Sequence, residues 1–583
     1  MNKFFSLHAL VMIFSVSLLG NSKPNIVLIY VDDLDFDQVS VYDQQKFPSY
    51  TGAKETGNLK ELNPITANQN GRFLKVGEMP YHKNAQVLTP HIASLAEEGV
   101  TFNRFYLTSS TCTPSRYSLL TGRYASRAPL LLKDNPPGSV PLIAWNANMD
   151  PLENNLAKDL KSAGYKTALV GKWHLSNYDI AEIDFEKGFK GHHLNSEKSK
   201  KLLPHQLVGS YFPLTADYGS GEVQDELERI YGIMQRRVKR ISGFDVVDRL
   251  YYANYGELPM PKHMKVHNLE WLTEGALNYI EDNKDNPFFL YFSITAPHGQ
   301  YFEDWMEKDW RATPAGMLKE KPKGMPSRES VLQRIDKACL PRQNAMATWI
   351  DDSVGAILTK LKKSGLADNT MVLFVSDHQS RGKLTTYEGH RAPAIIHWPK
   401  MVNKGVVEEG IFSNIDILPT LLDLAKGQSP KGSLCDGQSF LPMLKGEKLE
   451  DWRESILLET SYSRAIVHKD WKYMANRPPQ WVLDKMEEDQ LETQKSGARR
   501  HVGWSGRTTN AASGMGIRFN ADQDFPYYFD ADQLYNLGED VFEQKNIIMN
   551  PENKKRLEEL KKKLESHIND LPHHFGEFGS VHH

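Results

Sequence analysis

Four apolar runs along this chain end alike, each leading directly into side chains that do chemistry. Residues 26–31 lead into Asp32 and Asp33, residues 167–170 into Gly171, Lys172 and His174, residues 288–294 into Pro297 and His298, and residues 371–375 into Asp377 and His378. Apolar runs without polar alternation suit strands buried on both faces, as in a parallel sheet covered by helices. Functional groups of such sheets gather beyond the carboxyl ends of the strands. The pattern therefore predicts that these polar residues converge on one edge of a sheet.

Helical periodicity fills the intervals. Thr89 followed by Pro90 reads as an N-cap and first helical position, with Ile92, Leu95 and Ala96 on one face and Gly99 as the stop. Leu152, Leu156, Ala157, Leu160 and Ala163 repeat the spacing up to Gly164, and longer helices are predicted over 269–281 and 343–362. The alternation predicts an α/β fold with a mainly parallel, mixed central sheet flanked by helices. Near the C-terminus the rhythm changes. Residues 463–473 and 533–537 read as short strands, 476–526 as polar chain without periodicity, and 551–568 as a charged amphipathic helix. A smaller C-terminal α+β subdomain is therefore placed at 455–583, after a main domain at 23–454.

Composition narrows the class of partner. The 583 residues are 40% hydrophobic and 25% charged with a formal net charge of -3, an ordinary globular balance without the global basic field that nucleic-acid binding needs. A polyanionic substrate would need local positive charge. Residues 1–22 combine Lys3, an apolar stretch over 4–19 and small or polar residues at 20–22, the form of a cleavable secretory leader. Ser6, His8, Ser15 and Ser17 interrupt that stretch as a spanning helix. The expectation is a periplasmic or secreted protein with no membrane attachment once the leader is removed. Of the three cysteines, Cys112 is the natural one to stand outside any pair, and the sequence leaves open whether Cys339 and Cys435 bridge.

Cys112-Thr113-Pro114-Ser115-Arg116 is the most informative stretch. Pro114 and Ser115 read as the first turn of a helix to about residue 120, which puts position 112 at a helix N-terminus, where backbone N–H groups and the macrodipole favour an anion. A lone free cysteine is most often a small buried hydrophobe, but this one is set among further motifs. They are Asn25 to Asp33, Thr89 to Tyr124, Gly164-Tyr165-Lys166-Thr167 with Gly171-Lys172-Trp173-His174, Ala296-Pro297-His298, Ser376-Asp377-His378, and Gly382-Lys383-Leu384-Thr385-Thr386-Tyr387-Glu388-Gly389. In that order the set resembles the type I, formylglycine-dependent sulfatases of the alkaline phosphatase superfamily.

The resemblance implies a sulfuric ester hydrolase in which a formylglycine-generating maturation enzyme converts Cys112 to formylglycine, whose hydrated aldehyde is the nucleophile. It implies a divalent cation, Ca²⁺ with Mg²⁺ as the alternative, held by Asp32, Asp33, Cys112 after conversion, and Asp377. Carboxylate oxygens suit such hard ions. His378 occupies the next ligand position, although imidazole suits transition metals better than calcium. Arg116 would hold the hydrate and metal ligands, and Lys172 and Lys383 would bind sulfate oxygens. His298 would bind substrate and protonate the leaving oxygen and His174 would assist hydrate collapse, two roles that can be exchanged.

Gly389 is followed at once by His390 and Arg391, a departure from the family pattern that leaves those two as either substrate contacts or a structural turn. Long segments at 44–88, 176–266 and 476–526 interrupt the pattern, and loops at a sheet edge set specificity. The second contains Tyr211, Phe212, Tyr251, Tyr252 and Tyr255 with Arg236, Arg237, Lys239 and Arg240, either a cationic aromatic face for a glycan or a helical insertion with one packed and one solvated side. Export and these insertions favour a sulfated carbohydrate as substrate. The rival readings are a phosphonate monoester or phosphodiester hydrolase of the same superfamily, and a non-catalytic sulfated-glycan-binding protein with unconverted Cys112.

Overall fold

The computed structural model describes residues 23–35, 38–42, 87–135, 140–176, 181–192, 210–298, 303–340, 342–379, 383–484, 486–488 and 525–576. Residues 1–22, read above as a leader, and most of the segments at 44–88 and 476–526 lie outside them.

The eight strands of the central sheet are β1 (Asn25–Asp32), β2 (Val100–Phe102), β3 (Lys166–Lys172), β4 (Val246–Tyr251), β5 (Phe288–Pro297), β6 (Thr370–Ser376), β7 (Ala394–His397) and β8 (Val406–Glu408), in the order β8-β2-β7-β6-β1-β5-β3-β4. Every pairing is parallel except those of β7, which runs against both β6 and β2. The predicted mixed, mainly parallel sheet is what forms. Its centre explains the apolar runs: every residue of β1, β5 and β6 is buried, whereas the edge strands β4 and β8 expose residues. The edge strand β4 lies inside the segment read from the sequence only as an insertion.

Two helix groups flank the sheet. One comprises α1 (Pro90–Glu97), α4 (Leu269–Asp282) and α5 (Ala345–Lys363), and the other α2 (Cys112–Thr121), α3 (Leu156–Ser162) and α6 (Ile417–Leu424). Asp351 of α5 accepts from the backbone N–H groups of His91 and Ile92 at 3.1 and 2.8 Å, so the first turn of α1 is capped from a neighbouring helix.

Several local expectations are corrected. Helix α1 does end just before Gly99, but the glycine is required there by packing: a Cβ would lie 2.2 Å from the Ile396 carbonyl oxygen, where β7 passes close. Leu152 is 94% exposed and outside the helix, which starts at Leu156 behind the Asn155 side-chain cap. Gly164 does take a positive φ of 86°. Cys339 and Cys435 are both free and exposed.

Beyond the main sheet, β9 (Ser455–Thr460), β10 (Ser463–His468), β11 (Trp471–Asn476) and β12 (Asp532–Asn536) form an antiparallel sheet in sequence order. Helix α7 (Lys554–Asn569) lays Leu560 and Leu564 on it. That second core also takes in Leu384 and Tyr387 from the main sheet's edge, so the small sheet is joined to the site through packing. No described helix is long and apolar enough to cross a membrane.

Candidate active site

Strand register brings the polar residues together. Asp32 pairs with Pro297 on one side of β1 and Val31 with Ser376 on the other, while Gly171 of β3 faces Ser293. Asp32, Asp33, Lys172, His174, His298 and Asp377 therefore leave the sheet at one edge. Asp33 and His174 take positive φ values of 63° and 59°, a conformation uncommon outside glycine that turns the chain sharply as each strand ends.

Cys112 opens α2 behind an extended Thr111, and every residue of that helix is buried. The loop before it is held by side chains from elsewhere: Thr108 N donates to Asn414 Oδ1 at 3.1 Å, Ser110 N to Thr460 Oγ1 at 3.2 Å, and Asn414 Nδ2 to Ser115 O at 3.0 Å. The N-terminus of α2 thus points into the cluster as expected for an anion-binding position.

Arg116, one turn along, has no solvent exposure. Its guanidinium donates to Asp377 Oδ2 at 2.9 Å and Ser293 Oγ at 2.6 Å, lies 3.5 Å from Asp32 Oδ1, and stacks 5.3 Å from the Tyr30 ring centroid. Lys172 Nζ donates to Asp32 Oδ2 and Asn254 Oδ1, each at 2.5 Å. Lys383 Nζ is 3.1 Å from Asp33 Oδ1 and 3.7 Å from Cys112 Sγ. His378 Nε2 lies 3.0 Å from Cys112 Sγ and Nδ1 3.0 Å from Asp33 Oδ1. His298 Nε2 is 3.7 Å from Asp33 Oδ2, and His174 Nε2 is 3.7 Å from Glu257 Oε2.

These charges set one another's protonation. Burial pushes the Cys112 thiol up, but Lys172, Lys383 and His378 outweigh it and bring the thiol down to about 7. Asp377 is likewise held at about 2 against burial by His378, Arg116 and Lys172. Burial and the neighbouring Asp377 push Asp32 well above the carboxylate range. His174 is driven well below its ordinary value by burial and by Lys172.

The donor set fits a hard divalent cation. Ligand atoms of Asp32, Cys112, Asp377 and His378 all lie within 4.8 Å of one another, and the buried Asp32 Oδ1 accepts no hydrogen bond. Two buried carboxylates facing each other repel, and a cation between them would remove that cost.

No motif in the sequence singles out Asn254, Ser293, Asn414, Glu257 or Tyr291, whose hydroxyl accepts from Arg116 Nη1 at 3.3 Å. Asn254 follows the end of β4 and obeys the same rule of polar residues after a buried run; the others are marked by nothing local. His390 and Arg391 resolve as structure: both are fully buried, His390 Nδ1 on the Leu107 carbonyl at 2.7 Å and Arg391 Nη2 on the Asn103 carbonyl at 2.8 Å. The aromatics of the insertion are also core. Tyr211, Phe212, Tyr251 and Tyr252 are buried, and Arg236, Lys239 and Arg240 line the solvent side of the helix Gly221–Ser242.

An α/β sandwich with acidic and basic side chains gathered around a cysteine at the first position of a helix is a site suited to an anionic group. The chain belongs to the sulfatase family, which it matches over residues 24–427, and residues 379–492 match the C-terminal region of N-sulphoglucosamine sulphohydrolase. It is accordingly a sulfuric ester hydrolase. Among curated relatives it is 27% identical to an N-acetylgalactosamine-6-O-sulfatase of Bacteroides thetaiotaomicron, covering 69% of this chain and 80% of that one. It is 26% identical to the steryl-sulfatase of Rattus norvegicus, covering 64% and 69%. The fold is shared with a protein solved in complex with its substrate D-glucosamine-2-N,6-O-disulfate, at a TM-score of 0.51, 18% identity and coverage of 94% and 98%.

Proposed function

We propose that this sulfatase is exported and hydrolyses sulfate esters on a sulfated carbohydrate, using a nucleophile made from Cys112. In this reading a leader at 1–22 precedes a catalytic domain at 23–454 and a C-terminal subdomain at 455–583. The observation that carries it is the placement of Cys112 at the start of α2 with Lys172, Lys383 and His378 lowering its thiol. The same positive field that favours a thiolate favours a sulfate group. The carbohydrate assignment draws support from the N-acetylgalactosamine-6-O-sulfatase relative, and export from the form of residues 1–22.

Formylglycine at position 112, formed from the cysteine that opens α2, would supply a geminal diol able to act as a nucleophile toward sulfur and to release sulfate by C–O cleavage. Asp32, Asp33 and Asp377, with His378 and the residue at 112, would hold Ca²⁺ or Mg²⁺, which supplies Lewis-acid polarisation and lowers the pKa of a bound hydroxyl. The remaining work falls to side chains. Lys172 and Lys383 bind sulfate oxygens and offset charge that grows in the transition state. Arg116 keeps Asp377 and Asp32 aimed at the cluster. His298, the more exposed of the two histidines, delivers a proton from its ring to the departing ester oxygen, and His174, kept neutral by burial, takes one up.

The test is release of inorganic sulfate, read by ion chromatography, from sulfated mono- and oligosaccharides by protein made in a host with formylglycine-generating activity. Sulfate release, abolished by Cys112→Ala, supports the reading. Faster turnover of aryl phosphate diesters than of any sulfate ester, or glycan binding without sulfate release, would replace it with one of the two rivals.

A further inference from the structure

Lys383 reaches the centre of the site from a stretch with little regular structure. Residues 383–386 belong to no helix or strand, and only the short turn Tyr387–His390 follows. What holds it comes from the C-terminal part of the chain, two partners on the small sheet and two on loops beside it. Thr385 N donates to Tyr528 Oη at 3.1 Å, Thr385 Oγ1 to Thr460 O at 3.3 Å, and Lys472 Nζ to Thr385 O at 2.5 Å. Tyr387 N donates to Glu543 Oε2 at 3.0 Å, and Lys472 Nζ also bonds Glu543 Oε1. All four partners, Thr460, Lys472, Tyr528 and Glu543, lie after residue 455, and Leu384 and Tyr387 are packed in the core of the small sheet.

The ion pair is the unusual member. Lys472 sits on β11 with no side-chain exposure and Glu543 with 3%, at the cost of desolvating both charges. Hydrophobic residues would fill the same space, but they would leave the Thr385 carbonyl and the Tyr387 N–H buried without these partners. A lysine and a glutamate bonded to each other bracket the loop at two backbone atoms, two and four residues after Lys383. Lys383 in turn faces Asp33 and Cys112.

We propose that Lys472 and Glu543 are positioning residues for Lys383, so that the C-terminal part of the chain sets the placement of a sulfate-binding cation at the edge of the main sheet. The inference rests on the sulfatase reading of Lys383. Neither residue touches the reacting atoms; they act through the loop. A displacement of about 1 Å at such a group is enough to cost about a hundredfold in rate.

The experiment compares full-length wild type with the doubly neutralised Lys472→Met/Glu543→Gln variant, which leaves no unpaired buried charge and keeps an amide oxygen at position 543 to accept from the Tyr387 N–H. Leu564→Ala, in the same core but away from the loop, controls for loss of stability. Amide hydrogen exchange and kcat/KM for sulfate release are measured on each. The proposal predicts faster exchange at Thr385 and Tyr387 with α2 unchanged, and a loss in kcat/KM of about tenfold or more that shrinks to about twofold or less when the pair is neutralised in a Lys383→Ala background. Leu564→Ala should keep wild-type kcat/KM at temperatures where it is folded. Unchanged loop exchange, unchanged kcat/KM, or the same fold loss with and without Lys383 overturns it. If wild type itself releases no sulfate, the functional reading fails, and loop exchange still decides whether the pair holds the loop.

Discussion

Arg116 donates to Asp377 at 2.9 Å with both side chains fully buried, joining the helix that begins at Cys112 to the end of β6. The bond does structural and electrostatic work together, because Asp32 lies 3.5 Å from the same nitrogen. Arg116→Met leaves two buried carboxylates without that cation. Its expected effect is destabilisation by about 3–5 kcal/mol in urea unfolding, with Arg116→Lys recovering part of the stability but not the paired geometry of a guanidinium fork.

Gly171 is required by its surroundings. Its φ is 110° and an added Cβ would lie 2.0 Å from the Ser293 carbonyl oxygen on β5. Gly171→Ala must therefore separate β3 from β5 beside Lys172, and we expect a loss of about 2–4 kcal/mol together with a fall in kcat as Lys172 shifts from Asp32. Thermal denaturation and steady-state kinetics on the one variant check both.

Two buried neutral histidines make stability fall in mild acid. Burial drives His267 and His390 down to about 3, while an unfolded chain binds the proton near the ordinary value of 6.5. The unfolded state therefore takes up protons first as pH drops. The stabilisation is full above about pH 6.5 and is lost progressively toward pH 3, by up to about 1.4 kcal/mol per pH unit for each group. His390→Gln should flatten the slope of unfolding free energy against pH between about 6 and about 4, and an unchanged slope would remove His390 from this account.

The carboxylate cluster should make stability depend on a divalent ion. Adding Ca²⁺ at about a hundred times its Kd is expected to raise unfolding free energy by about 2.7 kcal/mol. EGTA should reverse it, and Asp32→Asn should abolish most of the response. A melting temperature indifferent to Ca²⁺, Mg²⁺ and chelator alike would argue against a cation at this site.

The central strands and the residues at their ends were legible because burial on both faces leaves an unbroken apolar run and the polar group at its end stands out. Ile26 to Val31, followed by Asp32 and Asp33, is such a case. Legibility failed where spacing alone misleads. Leu152 has helical spacing but stands in solvent, and Gly99, legible as the end of a helix, gives no local sign of the close approach of Ile396 that demands a glycine. The aromatics around Tyr251 left a binding face and a packed insertion equally open, and the structure resolves them as core with a solvated helix face. Long-range polar partners left no mark at all. Asn414 under the Cys112 loop and Glu543 beneath Tyr387 are set by tertiary packing, and nothing in their neighbouring residues announces them.

In the proposed function Cys112 is the precursor of the nucleophile. The most direct test is the mass of the proteolytic peptide containing Cys112, from protein made in cells with formylglycine-generating activity. An aldehyde, or its hydrate, is expected in place of the thiol. A peptide that keeps its thiol while another sulfatase matures in the same cells would contradict it.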